Sequence, residues 1–353
     1  MTQKKKTGTP QQHRYTIDRS PLFGLSSKKR LSELLGVELR LIRDVEKAGL
    51  TRQYKIFVDR KSRRFICQPV DELEKIHRRL LKYLIRIAPP SYVHSAIKSR
   101  SYRSNANAHL LNGPVLKIDI KKFFPSIKYD RIHSFFFDTF KCAPDIATIL
   151  AKLCVVCSKN HGVHIPTGSC LSPAISYLAN IKMFDRIAEI CAKAGCRFTL
   201  YVDDITISGA KANHQLLGEV ASVIFQRGYK YHKTNVQQSG HALITGLVVT
   251  PQGLRLPFKR VKKIRDLSET LFAASVLNLA QARKREILAS LVGCLSEAEQ
   301  IESRYKLIRA RIVEEHCDTW NEIVKNRTKR AALKRQQATR AVIPPAMKNC
   351  TSK

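Results

Sequence analysis

The sequence predicts an α+β fold, and three observations point there. Short β-like runs and amphipathic helical stretches are interspersed up to about residue 250. Beyond Pro251 the pattern is mostly helical and basic. The 353 residues suit about two domains, or one core with appendages, at roughly 150 residues per domain. A hydrophobic fraction of 44% is enough for a packed core, which excludes disorder throughout.

Residues 1–30 hold eight basic side chains against the single acid Asp18, with Gly, Pro, Gln and Ser between them, and read as a flexible basic arm. From Leu31 the apolar positions Leu31, Leu34, Leu35, Leu39 and Ile42 recur at helical spacing. Tyr54–Val58 and 64–67 read as strands joined by the charged turn 59–63. Pro69 precedes an amphipathic helix with Leu73, Ile76, Leu80 and Leu84 on one stripe, closed by Pro89 and Pro90. Val115–Ile120 is a near-continuous apolar strand carrying Asp119 at its end. Ser172 and Pro173 read as an N-cap and first-turn proline of a helix running to Gly195. Segments 198–202 and 205–208 flank Asp203 and Asp204 as a tight hairpin. Helices are expected over 253–320, followed by a basic tail, 321–353, whose first twenty residues carry seven basic residues and one acid. No internal repeat of solenoid length is present.

With 63 Lys+Arg against 28 Asp+Glu, the net charge is +35. A surface this basic repels itself unless a polyanion neutralises it, and the common cellular polyanion is nucleic acid. No apolar run reaches the roughly 18 residues of a membrane span, and residues 1–10 are followed by no apolar signal core. The expectation is a soluble, cytoplasmic protein. Its ten cysteines are scattered rather than clustered, which suits a reduced compartment. Cys154, Cys157, His161 and His164 have spacings that could ligate zinc, but Cys154 and Cys157 lie in ILAKLCVVC, where small apolar side chains suit a buried helix face.

The chemistry-bearing acids are Asp119, in LKIDIKKFF, and Asp203 and Asp204, in LYVDDITIS. Carboxylates among Val, Ile and Leu are unfavourable unless paired or bound to a metal. Mg2+ takes a few carboxylates plus substrate phosphates, and two such ions about 4 Å apart can drive in-line phosphoryl transfer. Adjacent strand residues face opposite sides, so Asp203 and Asp204 share a site only if the hairpin tip breaks the alternation.

These residues resemble those of reverse transcriptases. YVDD at 201–204 is similar to the family signature, with Asp119 as the partner acid, and the other landmarks follow in family order. They are a strand containing Arg64, IKSRS at 97–101, DIKKFFPSI at 119–127, IPTGSCLSP at 165–173, and HKT at 232–234. Within the family the sequence is similar to bacterial retron enzymes, since Asn105, Ala106 and His109 match an NAxxH pattern and ITGLV at 244–248 matches a VTG segment.

The resemblance implies a right-hand polymerase fold, with fingers and palm over 31–252 and a helical, RNA-binding thumb over 253–320. It implies two Mg2+ ions, with Mn2+ able to substitute, held by Asp119, Asp203, Asp204 and the Ile120 carbonyl. It also implies dNTPs as substrates and a structured cognate non-coding RNA copied into a short, branched RNA-linked DNA, in antiphage defence with a separately encoded effector. Arg64, Lys98 and Arg100 are candidates for the triphosphate, Thr167 and Gly168 for the incoming nucleotide, and Lys233 for protonating the leaving pyrophosphate. Phe124 is the expected steric gate against a ribose 2′-OH, with Phe123 the alternative, chosen on the alternation of strand faces. Asn105 and His109 are expected near template RNA, with a buried hydrogen-bonded histidine the plainer reading of His109. Lys259, Arg260, Lys262 and Lys263 read as an RNA-phosphate face. Two departures stand out: Thr167 replaces the usual Gln of LPQG, and Val202 the commoner Ala of YADD. Another bacterial reverse transcriptase, or a nonenzymatic RNA-binding scaffold, are the alternatives.

Overall fold

A computed structural model describes residues 14–47, 53–110, 113–237, 241–276 and 280–340. The chain divides into two compact units, Met1–Gly253 and Leu254–Lys353. The first is α+β and the second is nearly all helix, as the apolar patterning predicts.

The first unit begins in its own core. Leu22 and Leu25 are buried, and the Tyr15 hydroxyl donates to the Tyr83 carbonyl at 2.7 Å. Segment 14–30, expected as part of a flexible arm, is therefore folded, because its few apolar residues find a core that basic composition does not reveal. Residues 1–13 lie outside the described residues. Helices α1 (Lys28–Leu35) and α2 (Leu39–Lys47) share the predicted leucine stripe. Gly36 separates them, its φ of 66° supplying the left-handed stop. The hairpin β1 (Tyr54–Val58) and β2 (Phe65–Pro69) pairs Tyr54 with Pro69 and Val58 with Phe65, which leaves Arg64 in the turn. Helix α3 (Asp71–Leu84) buries Leu73, Ile76, Leu80 and Leu84, with Asp71, Glu72 and Glu74 in the first turn where the helix dipole favours acids. The short α4 (Tyr102–Asn107) starts from a reciprocal Ser101–Ser104 capping box.

At the centre stands β3 (Val115–Ile120), followed by α5 (Phe123–Ser126), α6 (Tyr129–Ser134), α7 (Pro144–Cys154) and the hairpin β4 (Val156–Ser158) and β5 (Gly162–His164). Next come α8 (Ser172–Leu178), α9 (Ile181–Lys193), β6 (Arg197–Tyr201), β7 (Asp204–Ser208), α10 (His214–Gln226) and β8 (Tyr231–Gln237). The four longer strands form one antiparallel sheet in the order β6-β7-β3-β8, against which α9 and α10 pack. Leu116, Ile118, Leu200, Ile205 and Ile207 of the sheet meet Phe184, Ile187, Val220 and Ile224 of the helices in one buried core. The hairpin β9 (Ala242–Ile244) and β10 (Leu247–Thr250) ends this unit, and β11 (Gly253–Arg255) lies at the boundary.

Two details differ from the sequence reading. Ser172 is the first residue of α8 rather than its N-cap, and its hydroxyl donates to the Pro166 carbonyl at 2.6 Å. The expected single helix is also interrupted at Asn180, whose amide nitrogen donates to Ser176 O while its amide oxygen accepts from the Tyr229 hydroxyl.

The second unit consists of α11 (Phe258–Val276), α12 (Gln281–Ala298), α13 (Arg304–Glu315) and α14 (Cys317–Arg340). Buried Glu302 accepts from the Leu256 N–H at 2.9 Å and pairs with Arg304 at 3.0 Å. No tail begins at residue 321: α14 runs through it, Ile323 is buried, and α14 packs on α12 and α13. Lys325, Arg327, Lys329 and Arg330 are exposed on the outside of this helix, a placement that composition cannot distinguish from a tail. Residues 341–353 lie outside the described residues. Among the described residues no helix is long and apolar enough to cross a membrane.

Candidate active site

Three acids lie near one another where β3 and the β6–β7 hairpin come together. The antiparallel register sets Asp119 of β3 directly opposite Asp204 of β7. The hairpin loop is Val202–Asp203, one residue earlier than the sequence suggests, so Asp204 belongs to the strand and Asp203 to the tip. That tip breaks the strand alternation, which allows adjacent acids to act on one space. Val202 has a φ of 61°, a left-handed conformation that a β-branched residue rarely adopts. The Asp203 carbonyl accepts from Ile120 N–H at 3.2 Å, joining the tip to the end of β3. There the β3–β8 register shifts between Asp119 and Ile120, a bulge that re-aims the strand end.

Burial and mutual repulsion make Asp203 and Asp204 hard to ionise. Asp203 is pushed up to about 6, first by burial, then by Asp204, with Asp119 adding to it. Asp204 is raised by burial and by Asp119, while Lys117 and Arg64 oppose the rise. Lys117 escaped the sequence reading, although the alternation in LKIDI puts it on the same face of β3 as Asp119. Among the described residues no three His, Cys, Asp or Glu side chains are drawn together closely enough to hold a metal ion as they stand. The donor set still fits Mg2+ or Mn2+: it is oxygen-only, and a cation would relieve the repulsion that raises Asp203. Asp119, Asp203 and Asp204 would hold such an ion, with the Ile120 carbonyl within the same strand end.

Arg64 acts on this region from the β1–β2 hairpin, and the segment 167–168 packs against β2 of that hairpin. Arg64 is exposed at the hairpin turn, and its charge reaches both Asp203 and Asp204. The Thr167 carbonyl accepts from Cys67 N–H of β2 at 2.6 Å. Gly168 follows with a φ of 115°, and a Cβ there would stand 2.7 Å from the Ile66 side chain. Glycine is needed here for both conformation and space. Phe123 is buried against the rings of Phe184 and Tyr229, whereas Phe124 is half-buried. Both phenylalanines lie on the helical turn α5, so helical rotation separates them and the expected alternation of strand faces does not apply. Lys233 is paired in register with Asp119 across β3 and β8.

Other candidates lie elsewhere or are already engaged. Arg100 donates to the carbonyls of Pro90 and Val93, which corrects its expected triphosphate role. Lys98 is exposed, and its carbonyl accepts from Arg14. Asn105 and His109, expected to meet RNA, are both fully buried. The His109 ring bridges Ser208 and Thr199 at 2.7 Å on either side, and burial pulls its pKa down to about 3. Lys259, Lys262 and Lys263 are exposed on α11, but Arg260 pairs with Glu297 at 2.8 Å and is not available as a free phosphate contact. Of the zinc candidates, Cys154 is fully buried, Cys157 is exposed on β4 rather than in a helix, and His164 bonds to Ser158.

Comparison with known proteins follows the same lines. The family model described as reverse transcriptase (RNA-dependent DNA polymerase) matches residues 45–240. The chain is 31% identical over 199 residues to the retron Se72 reverse transcriptase of Salmonella heidelberg, covering 54% of this chain and 50% of that protein. It is 28% identical over 288 residues to the retron Mx162 reverse transcriptase of Myxococcus xanthus, covering 72% and 59%. It is 25% identical over 233 residues to the retron Ec86 reverse transcriptase of Escherichia coli, covering 63% and 70%. The chain thus matches between half and three fifths of the length of the first two relatives. The family match is longer than half the chain and encloses Arg64, the three carboxylates and every strand that carries them. The chain belongs to the reverse transcriptase (RNA-dependent DNA polymerase) family.

Proposed function

We propose that this protein is an RNA-directed DNA polymerase of the retron type, copying a structured cognate RNA into a short, RNA-linked single-stranded DNA. The observation that carries the reading is Asp119 in register with Asp204, with Asp203 at the adjoining tip, inside a reverse transcriptase domain. Curated relatives named as retron reverse transcriptases favour the retron type. The wider reading, antiphage defence in a bacterial cytoplasm with a separately encoded effector, rests on the same likeness.

In the reaction a primer hydroxyl oxygen bonds to the α-phosphorus of a dNTP, the bond to pyrophosphate breaks, and the hydroxyl proton is lost. Divalent cations, when bound, would supply charge neutralisation at the attacking and leaving oxygens. The chain's own part is to orient and to select. Arg64 offers a guanidinium fork to phosphate oxygens. The Thr167–Gly168 backbone brings the loop against β2 and would position the incoming nucleotide. Phe124 excludes a ribose 2′-OH by collision. Lys233 protonates the departing pyrophosphate, and the exposed lysines of α11 hold RNA phosphates.

Two assays test this. Purified protein with Mg2+, primed poly(rA) and dTTP should make DNA, and inactivity would favour a nonenzymatic scaffold. Sequencing of copurifying nucleic acid should recover a branched RNA–DNA species, and its absence from an active protein would point to another bacterial reverse transcriptase.

A further inference from the structure

The tip that carries Asp203 is held from outside its own hairpin. Segment 92–94 runs beside β6 as a parallel edge: Leu200 N–H donates to Tyr92 O at 2.8 Å, and His94 N–H donates to Leu200 O at 2.9 Å. In a regular parallel ladder the next N–H, that of Val202, would bond to the His94 carbonyl. It donates instead to the Ser95 hydroxyl at 3.0 Å. Ser95 is 5% exposed, and the chain turns away at Ala96 with a φ of 54°. The serine side chain therefore ends the ladder at the residue whose own φ of 61° is unfavourable for valine.

A second contact fixes the same segment. The Arg100 guanidinium donates to the carbonyls of Pro90 at 2.6 Å, Val93 at 2.5 Å and Ser91 at 3.3 Å. One cation thus gathers three carbonyls of the strand-like segment that leads to Ser95.

We propose that Ser95 is a positioning residue for the Asp203 carboxylate, with Arg100 bracing the segment that presents it. The Ser95 hydroxyl holds Val202 in its left-handed conformation, and that conformation sets where the next residue, Asp203, points. The inference rests on Asp203 being a cation-binding acid of the polymerase reaction proposed above. It assigns Arg100 to the architecture of the site rather than to the nucleotide.

The test uses the full chain with Ser95→Ala, Ser95→Thr and Arg100→Lys. It reads kcat and KM for dTTP on primed poly(rA), Mn2+ affinity without nucleotide by electron paramagnetic resonance, and melting temperature. Small misplacements of reacting groups lower rate strongly, so Ser95→Ala should lose about ten- to a hundredfold in kcat and bind Mn2+ more weakly. Its KM for dTTP should change by less than about twofold, because the substrate contacts are untouched. Ser95→Thr, which keeps the hydroxyl, should recover most of the rate. Arg100→Lys should lower kcat with KM unchanged, and it remains informative if Ser95→Ala does not fold. Wild-type kcat and Mn2+ affinity in Ser95→Ala, or a raised KM with unchanged kcat in Arg100→Lys, would overturn the proposal. If the wild type makes no DNA yet its Mn2+ binding depends on Ser95, the polymerase reading fails and the positioning role stands.

Discussion

Asp119 and Asp204 face each other across the β3–β7 pair, and the shared environment raises Asp204 through Asp119's charge as well as through burial. Two acids this close repel, and their removal relieves that repulsion. Asp119→Ala and Asp203→Ala should therefore leave the fold intact while lowering DNA synthesis by at least about a hundredfold, nearly 3 kcal/mol of barrier. Initial rates on primed poly(rA), with circular dichroism as the folding control, check this. A variant near the wild-type rate would move the site elsewhere.

The pH dependence follows from the direction at Asp203. Its pKa in the fold, about 6, lies above the ordinary carboxylate value, so the folded state binds this proton more tightly than the unfolded state. The contribution to stability is complete below about pH 4 and is lost as pH rises through about 6. Metal-free protein should accordingly gain melting temperature between pH 6 and 4 from this group, and Asp203→Asn should remove that gain. Added Mg2+ should stabilise the wild type more at pH 8 than at pH 5, because it competes with the proton. Differential scanning calorimetry across that range, with and without Mg2+, is the measurement.

Phe123 and Phe124 should respond differently to truncation. Phe123 is 2% exposed within an aromatic cluster, so Phe123→Ala should destabilise by about 3–5 kcal/mol. Phe124→Ala should cost less stability and should raise ribonucleotide incorporation relative to deoxyribonucleotide. Competition between rNTP and dNTP substrates reads the second effect. Unchanged sugar selectivity in an active Phe124→Ala enzyme would place the gate elsewhere.

On α11 the three exposed lysines separate from their arginine neighbour. Neutralising Lys259, Lys262 and Lys263 together should reduce the salt slope of RNA binding by about 2 to 3, at roughly 0.7–0.9 per phosphate contact. Arg260→Ala should leave the slope unchanged and lose less than about 1 kcal/mol of stability, since its partner Glu297 is half-exposed. Affinities for cognate and scrambled RNA at several salt concentrations distinguish these outcomes.

Gly168 joins the 165–173 segment to β2. Gly168→Ala places a methyl group 2.7 Å from the Ile66 side chain at a φ of 115°, so the hairpin that carries Arg64 must shift. The expected result is a lower melting temperature together with a higher KM for dNTP. A wild-type KM would show that the hairpin does not set nucleotide affinity.

Local pattern was enough for much of this protein. The apolar run around Asp119, the hairpin around Asp203 and the α3 stripe each depend on neighbours within a few residues, where side-chain period alone selects strand or helix. The charge of +35 points to a nucleic-acid partner, and the order of the short motifs resembles that of reverse transcriptases. What composition could not convey was which polar side chains are consumed by the fold. His109 is spent between Thr199 and Ser208, the buried hydrogen-bonded role that was its plainer reading, while Arg100 is spent on three carbonyls and Arg260 on Glu297, although both arginines looked available in a basic chain. Only tertiary structure decides such cases, because the partners stand up to 99 residues away in sequence and are chosen by the need to satisfy buried polar groups. For the same reason Ser95 was invisible: the N–H it accepts from, on Val202, is 107 residues distant, and nothing near Ser95 in the chain marks it.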